Sequence, residues 1–516
     1  MKPPLRSRIH SAMLAVMGVR LQSAYMALMG IRGAWQGAEV NRLLMDWITG
    51  TKTADEEIKG DIRRLRARGR DQEKNNGYIR QYLMMTMNGI LGAKGFKHQP
   101  QVRDREGKLD KETNRTILGS FAQWAKGKVT VDQKHTLRGF ERLLVKTVVR
   151  DGEVFVRMFR GFLGNPFGFA FQAIDADMVD ETYNVPARDG KNEIRMGIEI
   201  DSLGAPVRYW INEDPNPGYM YGNRKRYSVP AEEMIHLGDP DRINQTRYVT
   251  WLAAVLPTMK MLDGYEEAEL VASRTAAAKM GWIQSRPDVM NPGAVDQKKK
   301  VKMQAAPGAI DQLPVGWEFA SWDPQHPTTA FGAMIKTILR KASGALTCAY
   351  NVLANNYEDV NYSSLKGAQG EARDVYRAHQ QWWIESFRDA FYPVWMSQAT
   401  LTGMLVLPSR DYRKYTAVKW GPRGWPWLEP LKEIQAAFLA CKAGLGARTI
   451  FLSELGLDFE EVCELLAQEK EIAEEKGIEI EGIDIRVEED DDDDGSSGDG
   501  KKRTNGKRLV FSTSRS

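Results

Sequence analysis

Residues Tyr357–Ser364, YEDVNYSS, form a polar stretch with a helical stripe on either side. Before it, Phe331, Ile335, Leu339, Ala342 and Leu346 recur every three or four residues. That spacing predicts a helix from Thr328 to Leu346 with one apolar face. After it, Leu365, Ala372, Val375, His379, Trp383 and Phe387 carry a second stripe, on a helix from Ser363 to Leu401. His379 lies on the apolar stripe, so it reads as a satisfied core or interface residue. The segment between, NVLANNYEDVNYSS from Asn351, reads as a polar loop joining two long helices.

Upstream, Arg286 to Pro327 breaks the helical pattern with prolines and a lysine run, Lys298, Lys299, Lys300 and Lys302. Trp317–Ala320 fits a short strand within it. The segment reads as a small inserted module between long helices, its lysines either a solvated face or a contact to DNA or a partner protein. The helix before it starts at Pro257, which suits a first turn because its missing N–H costs nothing there. It is predicted to run to Trp282, with Met259, Leu262, Ala272, Ala276 and Met280 at helical spacing. At about 1.5 Å per residue it would span roughly 40 Å. Asp263, Glu266, Glu267 and Glu269 gather in its first half, Arg274 and Lys279 in its second. That bias suits the helix dipole; the alternative is a face lining an acidic passage.

The first part of the chain mixes helix and strand. Glu39–Trp47 has one apolar stripe, and Asp61–Arg70, DIRRLRARGR, is strongly basic, either a solvated face or a surface for phosphates. Asn76–Gly92 reads as a helix with Met84, Met85, Met87 and Leu91 as core candidates. From Glu153 the period changes to two: EVFVRMF alternates, and FAFQAIDADMVD follows a glycine-rich turn. Further strands are expected at Arg195–Ile200, Val207–Ile211 and Met234–Leu237, mostly antiparallel. Asp175 and Asp177 fall on one side of a strand, a pair that would need partners for catalysis, and none is visible nearby. Beyond Leu401, helices are expected at Leu431–Lys442 and Phe459–Lys476.

Composition bounds the rest. Of 516 residues, 42% are apolar, and 72 basic against 68 acidic residues give a net charge of +4. Cys348, Cys441 and Cys463 form no CxxC pair and the six histidines are scattered, so neither a disulfide framework nor a zinc site is indicated. No run of eighteen apolar residues predicts a membrane-spanning helix. The first thirty-four residues carry Lys2, Arg6, Arg8, Arg20 and Arg32 and no acid, an amphipathic basic arm that either packs on a neighbouring subunit or meets an acidic partner, membrane or DNA. Glu488–Asp494 is a run of carboxylates that opens a charged tail, expected to be disordered. GSSGDGKK at Gly495–Lys502 fails as a phosphate loop, because Lys502 replaces Ser or Thr and no strand or helix flanks it. Neither GxSxG nor HExxH occurs, so an enzyme is not expected. Three N-x-[ST] matches, at Asn114, Asn244 and Asn361, carry no weight.

Four stretches, in order, resemble the portal proteins of the lambda-like family of tailed phages: WQGAEVNRLLMDW with RARGRDQEKNNGYIRQYLMMTMNGILGAKG; VPAEEMIHL with WLAAVLPTMKMLDGYEEAELVASRTAAAKMG; NYEDVNYSSLKGAQGEARDVYRAHQQWW; and WPWLEPLKEIQAAFLACKAGL with GLDFEEVCELLAQEKE. They cover Trp35 to Glu475. The resemblance implies an α+β portal fold with wing, long-helix stem, small clip and helical crown, assembled as a ring, usually a dodecamer, at one capsid vertex. By position it implies a basic arm at 1–34, wing at 35–255, stem helix at 256–285, clip at 286–327, second stem helix at 328–350, tunnel loop at 351–362, long helix and wing return at 363–430, crown at 431–478 and charged tail at 479–516. Implied partners are further copies of the chain, the terminase large subunit, a head–tail adaptor, the major capsid and scaffold proteins, and double-stranded DNA in the channel; no cofactor is implied. The implied DNA-facing loop residues are Asn351, Asn355, Asn356, Tyr357, Glu358, Asp359 and Asn361. Lys298, Lys299, Lys300 and Lys302 would face the clip's partner, and Asp263, Glu266, Glu267 and Glu269 would line the stem. A conduit that slides DNA must not grip it, since each neutralised phosphate adds salt-dependent affinity; an acidic or neutral lining satisfies that condition. The acid run and basic end after Arg486 lie outside the family pattern.

Overall fold

Asn76 shows how local sequence sets the first boundaries. Helix α1 (Ile62–Asn75) ends there, and helix α2 (Gly77–Leu91) begins, with the Asn76 side chain accepting a hydrogen bond from the Ile79 amide. Such caps satisfy an otherwise orphaned donor and are worth about 1 kcal/mol. The computed structural model describes residues 51–188, 190–213, 225–277, 281–285, 317–321, 330–358, 361–409, 411–427 and 429–477. The arm, Glu39–Trp47, the lysine run and the tail lie outside them. Two units are separable, Met1–Glu57 and Ile58–Ser516; in the first, residues 51–57 are described, helical from Ala54. Everything below concerns the second.

After α2 come strand β1 (Lys97–Pro100), helices α3 (Lys111–Lys126) and α4 (Leu137–Asp151), and strands β2 (Glu153–Arg160) and β3 (Phe169–Ile174). Strands β4 (Glu193–Arg195), β5 (Ile198–Ile200), β6 (Pro206–Asn212), β7 (Arg226–Pro230) and β8 (Met234–Gly238) follow. They form two sheets, β3-β2-β8 and β4-β5-β6-β7, with every named pairing antiparallel. The expected strand Arg195–Ile200 is two strands, because Met196 and Gly197 take positive φ and turn the chain into a hairpin.

The alternation of β2 divides the interior. Val154, Val156 and Met158 face the main core, built with α2, α3, α4 and later helices, while Phe155 faces a second core with Ile174, Ile198, Tyr209 and Ile211. Gly152 makes the α4–β2 turn at φ +94°, where a Cβ would meet the Val249 backbone at 2.3 Å; no other residue fits. Among the Met candidates of α2, Met87 and Leu91 are buried, but Met84 points outward, a correction to the expected stripe.

Helix α5 (Leu256–Ala277) then leads to strand β9 (Gly281–Ser285), which pairs antiparallel with β10 (Trp317–Ser321). Trp282 is therefore in a strand and not at the end of the preceding helix, whose 22 residues span about 33 Å. Helix α6 (Phe331–Ala345) returns, burying Leu339 and Ala342 with Leu346 after it, against Met259 and Leu262 of α5.

A one-turn helix α7 (Tyr350–Leu353) precedes α8 (Tyr362–Trp383), a π-turn (Ile384–Arg388) and α9 (Asp389–Leu401). The expected single helix to Leu401 thus carries a π-turn that points Trp383, Phe387 and Arg388 inward together. Gly89 of α2 lets α8 cross closely: a Cβ there would meet Tyr376 at 2.3 Å, and Gln380 Nε2 donates to the Gly89 carbonyl at 3.0 Å. Strand β11 (Val418–Gly421) pairs with β1, and helices α10 (Pro430–Lys442), α11 (Arg448–Glu454) and α12 (Phe459–Lys476) close the described chain. No helix among the described residues is long and apolar enough to cross a membrane.

Candidate functional site

One side of the basic helix α1 is solvated, with Arg63, Arg64 and Arg68 exposed, and the other is turned inward. Arg66 is buried, and its guanidinium donates to Glu153 at 2.9 Å and to Asp177. Arg70, one turn on, donates to Asp151 at 2.9–3.0 Å, to Asp177 at 2.6 Å and to Asp175 at 2.9 Å. Arg150 binds Asp151 through two bonds of 2.8 Å and Glu73 at 2.9 Å, and Lys146 also pairs with Glu73. The partners of Asp175 and Asp177 are thus arginines more than a hundred residues upstream, and both acids sit at a 3₁₀ turn after β3 instead of within the strand.

Glu153 is the centre. The period-two pattern of β2 puts it on the same face as Phe155, towards the second core. Arg247, fully buried, donates to Glu153 at 2.8 and 3.0 Å and gives its remaining protons to the carbonyls of Val179, Met196 and Ala176. His236 Nε2 lies 2.9 Å from the other Glu153 oxygen, and the imidazole stacks on Phe155. Five cations (Arg66, Arg70, Lys146, Arg150, Arg247) meet five carboxylates (Glu73, Asp151, Glu153, Asp175, Asp177), so the network is neutral with His236 uncharged. Burial alone would raise the Glu153 pKa, but Arg247 and His236 hold it well below the usual carboxylate range. Burial lowers His236 despite its bond to Glu153. With every carboxylate claimed by a cation, the cluster fastens α1 to the sheet and offers no acid or base to a substrate. Among the described residues no His, Cys, Asp or Glu group could hold a metal ion.

The residues expected to face DNA sit elsewhere. Asp263 of α5 accepts from Asn76 Nδ2 at 2.7 Å and from Gln72 Nε2 at 3.3 Å, and Glu266 accepts from the Tyr78 hydroxyl at 3.3 Å. Both therefore join α5 to α1 and α2 of the same chain, while Glu267 is exposed and Glu269 partly buried. In the loop, Asn351 belongs to α7 and not to irregular chain. Asn355 turns the chain at φ +49°, Asn356 accepts from the Glu358 amide at 3.0 Å, and Asn361 caps α8 by accepting from the Ser364 amide at 2.8 Å. Asn356 and Asn361 thus spend their side-chain carbonyls on backbone turns, and among the described loop residues Asn355, Tyr357, Glu358 and Asn361 are exposed. Asp359 and the four lysines lie outside the described residues. Local sequence shows little of the charge network, since its members come from five separate segments; the Arg66, Arg70, Glu73 spacing on α1 is the local trace.

The geometry is that of a helix-rich frame with two long helices bracketing a strand pair, a short exposed loop tip and no reaction centre among the described residues. Residues 41–380 match the family model of phage portal protein, lambda family. The chain is 31% identical over 429 residues to the probable portal protein of Halomonas phage phiHAP-1, covering 81% of this chain and 82% of that one. It is 23% identical over 460 residues to portal protein B of Escherichia phage lambda, covering 81% and 85% respectively. Among solved structures it is similar to a chain of the neck of an empty GTA particle computed with C6 symmetry, at 12% identity and a TM-score of 0.43, covering 80% of this chain and 98% of that one. The chain belongs to the lambda family of phage portal proteins.

Proposed function

We propose that the chain assembles into a closed ring, a dodecamer, at a single capsid vertex and forms the channel through which double-stranded DNA is packaged and ejected. The terminase large subunit docks on it during packaging and the head–tail adaptor afterwards, with major capsid and scaffold proteins around it. The observation that carries this reading is the family match over 41–380, which spans the long-helix pair and the loop between α6 and α8. In this reading residues 35–255 are the wing, α5 and α6 the stem, 286–327 the clip, 351–362 the tunnel loop, 363–430 the long helix and wing return, and 431–478 the crown. The protein acts mechanically and not as an enzyme, as the family match implies; Arg66 and Arg70 of its most basic described helix are held by carboxylates of the same chain.

The test is location. Gold-labelled antibody to the chain should mark one vertex per assembled particle, and particles made without the chain should contain no DNA. Label spread over many capsid positions would support a scaffold or minor capsid protein instead.

A further inference from the structure

Three arginines converge on Trp425. Arg373 and Arg377 stand four residues apart on one stripe of α8, and Arg423 reaches the same place from the segment after β11. The guanidinium carbons of Arg377 and Arg423 lie 5.9 and 5.4 Å from the centre of the indole ring, and Tyr376 stacks beside it at 6.5 Å. Arg373 Nη2 donates to the Pro426 carbonyl at 3.2 Å. An aromatic face holds a guanidinium in place and leaves N–H edges free for an anion.

These cations are poorly compensated. Arg423 packs its stem on Gly92 and donates to the Asn88 carbonyl at 2.6 Å. Neither Arg373 nor Arg423 has a carboxylate within ion-pair distance among the described residues, and burial, with Arg373 nearby, lowers the Arg423 pKa. Arg377 pairs with Asp374 at 3.1 Å, but the two side chains are 53% and 75% exposed, a pair worth no more than about 1 kcal/mol. Glu371 stands on the opposite side of the helix. The surface beside Arg373 is open, since a Cβ added at Gly370 would meet nothing within 4 Å.

The chain itself supplies a matching anion. Glu488–Asp494 is seven consecutive carboxylates. The Trp425 amide donates to the Glu454 carbonyl at 3.3 Å, and a Cβ on Gly424 would run into the Leu455 backbone, so the turn between α11 and α12 lies against the patch. Helix α12 carries the chain about 27 Å away from that turn. The eleven residues from there to Glu488 can return as much as about 36 Å. On so short a tether the acid run stands at roughly millimolar effective concentration, ahead of any dilute free anion. Lys501, Lys502 and Arg503 further on carry the wrong sign for this surface.

We infer that Glu488–Asp494 docks on Arg373, Arg377 and Arg423 of its own chain and closes that surface to phosphates. The inference goes beyond the channel reading and stands on the patch and its tether.

The test uses full-length chains and a fluorescein-labelled EEDDDDD peptide, read by anisotropy at low salt, where exposed charges are least screened. A neutral-tail chain (E488Q, E489Q, D490N, D491N, D492N, D493N, D494N) should bind the peptide at least about tenfold more tightly than the wild type, whose tethered run holds the site. Adding R373E and R377E to the neutral-tail chain should abolish that gain, while R373K and R377K should keep most of it. Equal peptide binding by wild-type and neutral-tail chains would overturn the inference, as would binding that survives R373E and R377E. A short DNA duplex bound by the wild type and lost on R373E and R377E would also overturn it, because the patch would then be open to nucleic acid. If the charge-reversed chain lacks the wild-type circular dichroism, Gly370→p-benzoylphenylalanine in the otherwise wild-type chain decides. Its photo-cross-link should reach residues 488–494 within a single chain; cross-links only elsewhere, or only between chains, would overturn the inference.

Discussion

Replacing Glu153 by Gln keeps the side chain's shape and removes its charge. Arg247 has no other carboxylate within ion-pair distance among the described residues, and Arg66 retains only Asp177. The amide also turns one acceptor into a donor facing His236, Arg247 and the Tyr248 amide, which all approach the present carboxylate within 3.2 Å. Stranding a buried cation costs about 3–5 kcal/mol. At roughly 2–4 °C per kcal/mol, the midpoint of the main thermal transition should fall by at least ~6 °C. Arg247→Met added to Glu153→Gln should recover part of that loss by removing the stranded charge. Lys108→Ala, whose side chain is 78% exposed in its pair with Glu106, is the control and should move stability by less than ~0.5 kcal/mol. Scanning calorimetry with parallel urea titration measures all three. A Glu153→Gln protein within ~1 kcal/mol of wild type would refute the claim that this carboxylate holds the network together.

Acid should destabilise the fold in two stages. Burial lowers the pKa of His98, to about 3, and of His236 and His379, so the unfolded chain binds more protons below pH 6.5 and stability falls by about 1.4 kcal/mol per pH unit for each group until its folded pKa is reached. Below about pH 4 the lowered carboxylates Glu73, Asp151, Glu153 and Asp177 add their own loss, and urea midpoints between pH 3 and 8 should show both the gradual and the steep part. A His98→Phe chain should show a shallower decline between pH 4 and 6. Asn361→Ala removes the α8 cap and should cost about 1 kcal/mol, with faster amide exchange confined to the helix start. Gly89→Ala should destabilise by about 1–3 kcal/mol, because the new methyl meets the Tyr376 ring.

The long helices were legible because their stripes are local. The apolar face of α6, the Asn76 start of α2 and the bounds of α12 follow from residues three or four apart. The β2 alternation was legible for the same reason. What it could not place was Arg247, ninety-four residues later, or Arg66, eighty-seven earlier. A run such as DIRRLRARGR has the same composition whether all of it faces water or two of its arginines reach Asp151, Glu153, Asp175 and Asp177; only the tertiary arrangement decides. In the Asn-rich loop the side-chain carbonyls of Asn356 and Asn361 serve the backbone beside them, as Asn does in turns and caps. Asp263 followed the dipole bias of its helix and in addition ties it to Asn76, a contact across 187 residues.

The most direct test of the account is a top-view electron micrograph of the purified full-length chain, with particle mass measured on the same sample. The account predicts closed rings with an axial hole and a mass that is a whole multiple of 58.3 kDa, twelve-fold if the ring is a dodecamer. Particles that stay at the mass of a single chain under all assembly conditions, or that associate without a central opening, would contradict it.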